Sequence, residues 1–217
     1  MEENRRLKND LSERAMRLHG KEASYSRADA ADFVITLILV IVAVFAFRAF
    51  IFEPVKVSGG SMEDTLFNNE RMFVEKFTYW FDSPQRGDII ICHYPPTYKR
   101  GKATDTYVKR VIGLPGETIT ISENRVYIKS SESGEYVLLE ESYLSPDNLT
   151  FSPYADIREY KVPDDCVFVM GDNRENSCDS RDATVGPIKL TAVIGRVHGV
   201  VFPFNRIRDL GAVDYGN

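Results

Sequence analysis

Thr106-Tyr107-Val108-Lys109-Arg110-Val111-Ile112-Gly113-Leu114-Pro115-Gly116-Glu117 reads as a β-strand that runs into a turn. Valine, isoleucine and tyrosine favour a pleated backbone. Leu114-Pro115-Gly116 ends the strand, because proline has no N–H for a ladder and glycine takes the dihedrals of a tight turn. Lys109 sits inside this apolar pattern. Side chains alternate across a strand, so Lys109 points to one face and Val108 and Arg110 to the other. Two readings stay open: a lysine on the solvent face, or a lysine aimed into a dry site. In the second, burial disfavours the charged form, and the neutral amine is a competent general base.

The same pattern recurs on both sides of this stretch. Short β-branched and aromatic segments occupy Val55–Val57, Arg71–Phe77, Asp88–Tyr94, Thr118–Ile121, Arg125–Ile128, Tyr136–Leu139, Val167–Met170 and Val193–Phe202. Breakers separate them at Ser83-Pro84, Arg86-Gly87, Pro95-Pro96 and Ser152-Pro153. Together they predict a mostly β domain over residues 53–217. Residues 122–160 are richer in Ser, Glu and Tyr and weaker in apolar pattern, which predicts a small β cap inserted on the core. There is no internal repeat or low-complexity tract. The sequon Asn148-Leu149-Thr150 is short enough to arise by chance.

Toward the N-terminus the character changes. Phe33 to Phe52 is a run of 20 residues in which only Thr36 and Arg48 are not apolar. At about 1.5 Å per residue such a helix spans roughly 30 Å, the hydrocarbon thickness of a bilayer. Glu53-Pro54 stops it. Residues 1–31 carry seven Lys/Arg, whereas only Lys56 follows in the next 18 residues after the run. The positive-inside bias predicts residues 1–32 as a cytoplasmic tail, 33–52 as a transmembrane anchor and 53–217 outside. The leader before the run is too long for a cleavable signal peptide, and no A-x-A-like site follows it. In the tail, Leu7, Leu11, Ala15 and Leu18 fall at helical spacing, which suits a short helix or a disordered tail equally.

Composition narrows the function classes. The chain has 217 residues, 43% hydrophobic and 27% charged, with a net charge of −5. Residues 53–217 hold 19 Lys/Arg against 25 Asp/Glu, a balance of −6 that is a poor match for nucleic acid. Cys92, Cys166 and Cys178 cannot all pair internally, and no spacing forces Cys166 onto Cys178. None lies in C-x-x-C, and His19, His93 and His198 form no ligand cluster, so neither a metal site nor a cofactor is expected.

Three more stretches stand out. In Ser58-Gly59-Gly60-Ser61-Met62-Glu63-Asp64-Thr65-Leu66 the glycines let the backbone approach a ligand, and the serine after them can present its hydroxyl to a carbonyl. Taken alone, a plain turn explains it. In Gly171-Asp172-Asn173-Arg174-Glu175-Asn176-Ser177-Cys178-Asp179-Ser180-Arg181, small polar groups and opposite charges can build a rigid support. A solvated turn is the bland alternative. Arg86-Gly87-Asp88-Ile89-Ile90-Ile91 reads as a turn into a buried strand and is taken as structural.

In this order, behind an anchor, these stretches resemble the bacterial type I signal peptidases over residues 33–202. That family shows a Gly-x-Ser-Met-x-Pro-Thr-Leu segment, a Gly-Asp-hydrophobic strand, a Lys-Arg-Val-x-Gly-x-Pro-Gly segment and a Gly-Asp-Asn-x-x-x-Ser-x-Asp-Ser-Arg segment. The resemblance implies a β-barrel-like, coiled β-sheet catalytic domain outside the cytoplasm. It implies a serine endopeptidase with Ser61 as nucleophile and Lys109 as general base. Ser177 would hydrogen-bond the lysine amine, and Asp179 with Arg181 would hold the last segment, Asp172 beside them. The Ser61 N–H would meet the oxyanion, and at Gly59 any second donor would be a backbone N–H. Val57, Met62, Leu66, Ile91, Tyr107 and Val108 match positions lining shallow pockets for small residues. The implied substrates are secretory preproteins with Ala-x-Ala sites, met at the membrane lipid surface close to the secretion translocon.

One residue departs from the pattern: Asp64 stands where the family usually has proline. Proline presets the backbone, whereas aspartate can initiate an Asx turn. The aromatic triplet Tyr79-Trp80-Phe81 suits either the core or the headgroup region of a bilayer. Rival readings are a self-cleaving repressor-type protein, a pilus or conjugation peptidase, and a non-catalytic module that only binds exported chains. The anchor argues against the first and the presence of both Ser61 and Lys109 against the last. Lys109 also favours the bacterial type over relatives that carry histidine there.

Overall fold

The computed structural model describes residues 2–50, 52–102, 105–130, 134–150, 157, 159–211, 213 and 215. It divides into two compact units, Met1–Ala49 and Phe50–Asn217. The first is a single helix, α1, Glu2–Phe50. Every large apolar side chain described between Phe33 and Phe45 is exposed. Among the described residues no helix is long and apolar enough to cross a membrane. The described side chains of the apolar run stop at Phe45, and those of 46–52 lie outside the description.

Among its described residues the second unit carries twelve strands in chain order: β1 Phe52–Lys56, β2 Arg71–Glu75, β3 Ile89–His93, β4 Thr106–Gly113, β5 Thr118–Ser122, β6 Arg125–Lys129, β7 Tyr136–Leu138, β8 Tyr160–Lys161, β9 Cys166–Met170, β10 Ile188–Lys189, β11 Val193–Phe202 and β12 Arg208–Asp209. It is mostly β, as the alternating segments predict. One sheet runs β1-β2-β11-β3-β4-β9-β10, with β12 added beside β11; the other runs β7-β6-β5-β8. All the pairings are antiparallel.

The barrel-like expectation needs correcting. The large sheet begins at β1 and ends at β10, and these end strands do not pair. Register shifts between Val193 and Gly195, Val197 and Gly199, and Val200 and Phe202 bend β11 along its length. Bulges of this kind curl a sheet without closing it. The expected cap segment, 122–160, supplies β6 and β7, while β5 and β8 flank it; its residues 131–133, 151–156 and 158 lie outside the description.

Alternation along the strands buries both faces of the large sheet. Ile89 and Ile91 join Val57, Met62, Leu66, Met72, Val74, Val197 and Val200 in one core. Ile90 and Cys92 join Val111, Val167, Val169, Val185 and Ile188 in another. A third core, around Ile112, Ile119, Phe168 and Met170, fills the space at the small sheet. Fully burying side chains of this size stabilises by about 1.5–3 kcal/mol each. The aromatic triplet splits. Tyr79 turns inward and donates to Asp88 at 2.8 Å, whereas Trp80 and Phe81 are 58% and 78% exposed. Phe77 joins these two, with ring centroids 6.0 and 5.1 Å away.

Candidate active site

The Ser61 turn is pinched off between β1 and β2. Val57 N–H donates to Glu70 O at 2.8 Å and Asn69 N–H to Val57 O at 3.0 Å, closing the loop at its base. Inside it, Leu66 N–H donates to Met62 O at 2.7 Å, making one helical turn. Met62 and Leu66, four residues apart, fall on one side and are buried. That burial leaves Ser61 at the leading edge of the turn, half-buried. Gly59 has φ +98°, a backbone that a side chain would strain. Its N–H is spent on Asn68 Oδ1 at 3.2 Å. Among the described residues nothing accepts from the N–H groups of Gly60 and Ser61.

Lys109 comes to this turn from β4. Strand β9 ends at Met170, opposite Arg110, so Lys109 lies just past the last residue that β9 pairs. Its side chain is only 2% exposed. Nζ donates to Ser61 Oγ at 2.7 Å and to Val108 O at 2.9 Å. Burial pushes the amine below the ordinary lysine value, while Asp179, Cys92, Cys178 and Asp172 pull the other way. The solvent-face reading of Lys109 is therefore excluded.

The loop after β9 packs against both. Asn173 N–H donates to Ser61 O at 3.1 Å, and its Nδ2 donates to Gly60 O at 2.9 Å. Asp179 is fully buried and accepts from Gly171 N–H at 2.9 Å and from Arg181 Nε and Nη2, each at 2.8 Å. Burial alone would raise its carboxyl, but Arg181 and the Gly171 N–H hold it below the usual value. Ser180 ties the loop back to β9: its Oγ accepts from Val169 N–H at 3.0 Å. Gly171 has no room for a side chain. A Cβ there would overlap Ser177 Oγ and the Ser61 carbonyl oxygen. Among the described residues no group of His, Cys, Asp or Glu is placed to hold a metal ion.

A nucleophile-sized hydroxyl, a buried amine and a braced polar loop thus meet at one end of the large sheet. Residues 30–202 match the family described as signal peptidase, peptidase S26. The chain belongs to that family. A signal peptidase I P from Bacillus subtilis subsp. natto is 38% identical over 186 residues, covering 84% of this chain and 94% of its own length. A signal peptidase I from Leptolyngbya laminosa is 37% identical over 194 residues, covering 87% and 89%. A solved signal peptidase I from Enterococcus faecalis V583 is 32% identical and covers 53% of this chain and 97% of its own, with a TM-score of 0.39.

Set against the S26 pattern, the expected residues sort clearly. Ser61 and Lys109 meet, and Asp179 meets Arg181. Asp172 does not join them: it turns to Arg110, whose Nε and Nη2 donate to its carboxylate at 2.9 and 2.6 Å. Ser177 Oγ is buried against Gly171 and beside the Asp179 carboxylate, whose pKa it helps to lower, and among the described residues no hydrogen bond joins it to Lys109. Val57, Met62, Leu66 and Ile91 share one core with Val108 packed on it, whereas Tyr107 lies in the opposite core, stacked on Tyr94 at 3.8 Å between centroids. Cys92, Cys166 and Cys178 are all free thiols. Asp64 has φ 89°, which proline cannot adopt.

Four further residues belong to this site. Arg110 was quoted with its strand but given no partner. Asn173 and Gly171 were seen only as members of a polar loop, though a glycine opening such a loop is a signal of close packing. Asn148 was noticed only within a sequon. Its Nδ2 in fact donates to Asp64 Oδ2 at 2.5 Å and to Asp172 O at 2.6 Å.

Proposed function

We propose that this member of the S26 family is a membrane-anchored serine endopeptidase that removes signal peptides from exported preproteins, using Ser61 as nucleophile and Lys109 as general base. The observation that carries this is the 2.7 Å contact between Lys109 Nζ and Ser61 Oγ, made by an amine whose burial disfavours its charge. The names of the relatives support the substrate class.

Ser61 Oγ attacks the scissile carbonyl carbon as its proton passes to Lys109 Nζ. The Ser61 and Gly60 N–H groups are free to donate to the developing oxyanion. Collapse of the tetrahedral intermediate breaks the C–N bond, and the ammonium of Lys109 protonates the leaving amine. Water, deprotonated by the now neutral Lys109, then attacks the ester carbonyl, releases the signal peptide's carboxylate and returns the proton to Ser61. Asp179 with Arg181, and Asp172 with Arg110, hold the segments that flank the dyad. Val57, Met62, Leu66, Ile91 and Val108 shape the approach for small residues at −1 and −3, since a site without room rejects large side chains by clash.

The anchor is read from the 20-residue apolar run, whose described apolar side chains are all exposed along α1 and need a non-aqueous cover. The Lys/Arg bias places residues 1–32 in the cytoplasm and 53–217, with its cap of 122–160, outside, in reach of chains leaving the translocon. The exposed rings of Phe77, Trp80 and Phe81 suit the lipid headgroup region.

The test is cleavage of an Ala-x-Ala preprotein in detergent by wild type, Ser61→Ala and Lys109→Ala. Cleavage at the expected bond by wild type alone is the expected result. Cleavage that persists in Ser61→Ala removes the nucleophile assignment.

A further inference from the structure

We propose that Asn148 is a positioning residue for this reaction, acting through the Ser61 turn; the inference rests on Ser61 being the nucleophile. Its carboxamide joins the Asp64 side chain to two backbone groups of the loop after β9. Nδ2 donates to Asp64 Oδ2 at 2.5 Å and to Asp172 O at 2.6 Å, and Oδ1 accepts from Arg174 N–H at 3.0 Å. A primary amide has two N–H donors, and here they serve acceptors on different segments. The spacing between the Ser61 turn and the loop after β9 is therefore set across one planar group. Ser145 N–H adds a second bond to Asp64 Oδ2 at 3.1 Å.

The segment that carries Asn148 is itself fixed from behind. Glu141 pairs with the buried Arg174 at 2.5 Å, Thr150 Oγ1 accepts from Arg174 Nη1 at 2.6 Å, and the Tyr143 ring lies 3.9 Å under the Arg110 guanidinium. Arg110 in turn holds Asp172. Residues 141–150 are thus a strap, nailed to two buried arginines, whose middle grips the turn at Asp64. Asp64 needs that grip. It holds φ 89°, which costs a non-glycine residue conformational energy, and two hydrogen bonds to its carboxylate offset the cost. Without them the turn can relax, and Ser61 Oγ moves relative to Lys109 Nζ. None of the hydrogen bonds of Asn148 goes to Ser61 or Lys109, so its effect belongs in the rate of the chemical step and not in substrate affinity.

The experiment uses the full chain in detergent on an Ala-x-Ala preprotein. Asn148→Ala is expected to lower kcat by about tenfold or more, the scale on which small misplacements of reacting groups act, with KM within about twofold. Asp64→Ala should lose a similar amount, and the double variant should fall no further than the single ones. Asp64→Asn keeps an acceptor oxygen and should retain most of kcat. A kcat for Asn148→Ala within about twofold of wild type overturns the proposal, as do losses that multiply in the double variant, or a change confined to KM. If Asn148→Ala does not fold, the comparison of Asp64→Ala with Asp64→Asn at an exposed position decides: equal kcat values overturn it. Ser61→Ala separates the two layers of argument. Cleavage persisting there removes the nucleophile, whereas a silent Ser61→Ala beside an unimpaired Asn148→Ala removes the strap alone.

Discussion

As the proposed base, Lys109 is useful only while neutral, and its surroundings decide at what pH that holds. Burial lowers its pKa, and the negative groups around it, Asp179 first among them, limit the fall. The sign follows directly: the amine loses its proton as pH rises through a value below that of an ordinary lysine. Cleavage on a stable enzyme should therefore climb from pH 6 and level off at alkaline pH. A rate that falls steadily from pH 6 to pH 9 would exclude a lysine base. Ser61 and Lys109 were legible in the sequence because each stands in a motif whose chemistry needs that residue type. Asn148, Arg110 and Asp172 were not legible as partners. Arg110 and Asp172 lie 62 residues apart, and Asn148 and Asp64 lie 84 apart. Local pattern carries no information on which polar side chains meet across such distances. Which way the Ser177 hydroxyl points was hidden for a similar reason: proximity in a motif does not fix a rotamer.

At the scale of elements, the site depends on where strands stop. Because β9 ends at Met170, Gly171 can bring the loop against the Ser61 carbonyl while Lys109 reaches past the strand end. Gly171→Ala should push the loop off the turn, since the added methyl meets both Ser177 and Ser61. The expected outcome is a destabilisation of about 1–3 kcal/mol, read by denaturant unfolding, with a larger loss of activity than of folded protein. Unchanged stability and rate would show that the loop has slack. Nine of the strands announced themselves by β-branched and aromatic alternation. The three that did not, β8, β10 and β12, are two residues each, too short for any period to register. The openness of the large sheet was also hidden, because alternation fixes which face a residue takes but not whether the last strand finds the first.

For the whole molecule, the exposed rings at residues 77–81 set the prediction. If they seat the domain on lipid, Trp80 fluorescence should shift to shorter wavelength when vesicles are added to the full chain. An emission position that ignores vesicles would sink the membrane-seating idea and leave the rings as ordinary surface. The Ser61 turn is closed by Asn173, 113 residues downstream, and Lys109 meets Ser61 across 48. Contacts this distant in the chain form late, after the entropy of closing large loops has been overcome. A nascent chain that has exposed Ser61 and even Lys109 still lacks the loop that braces them. The proposed site is therefore complete only once nearly the entire domain has folded, late in the chain's synthesis.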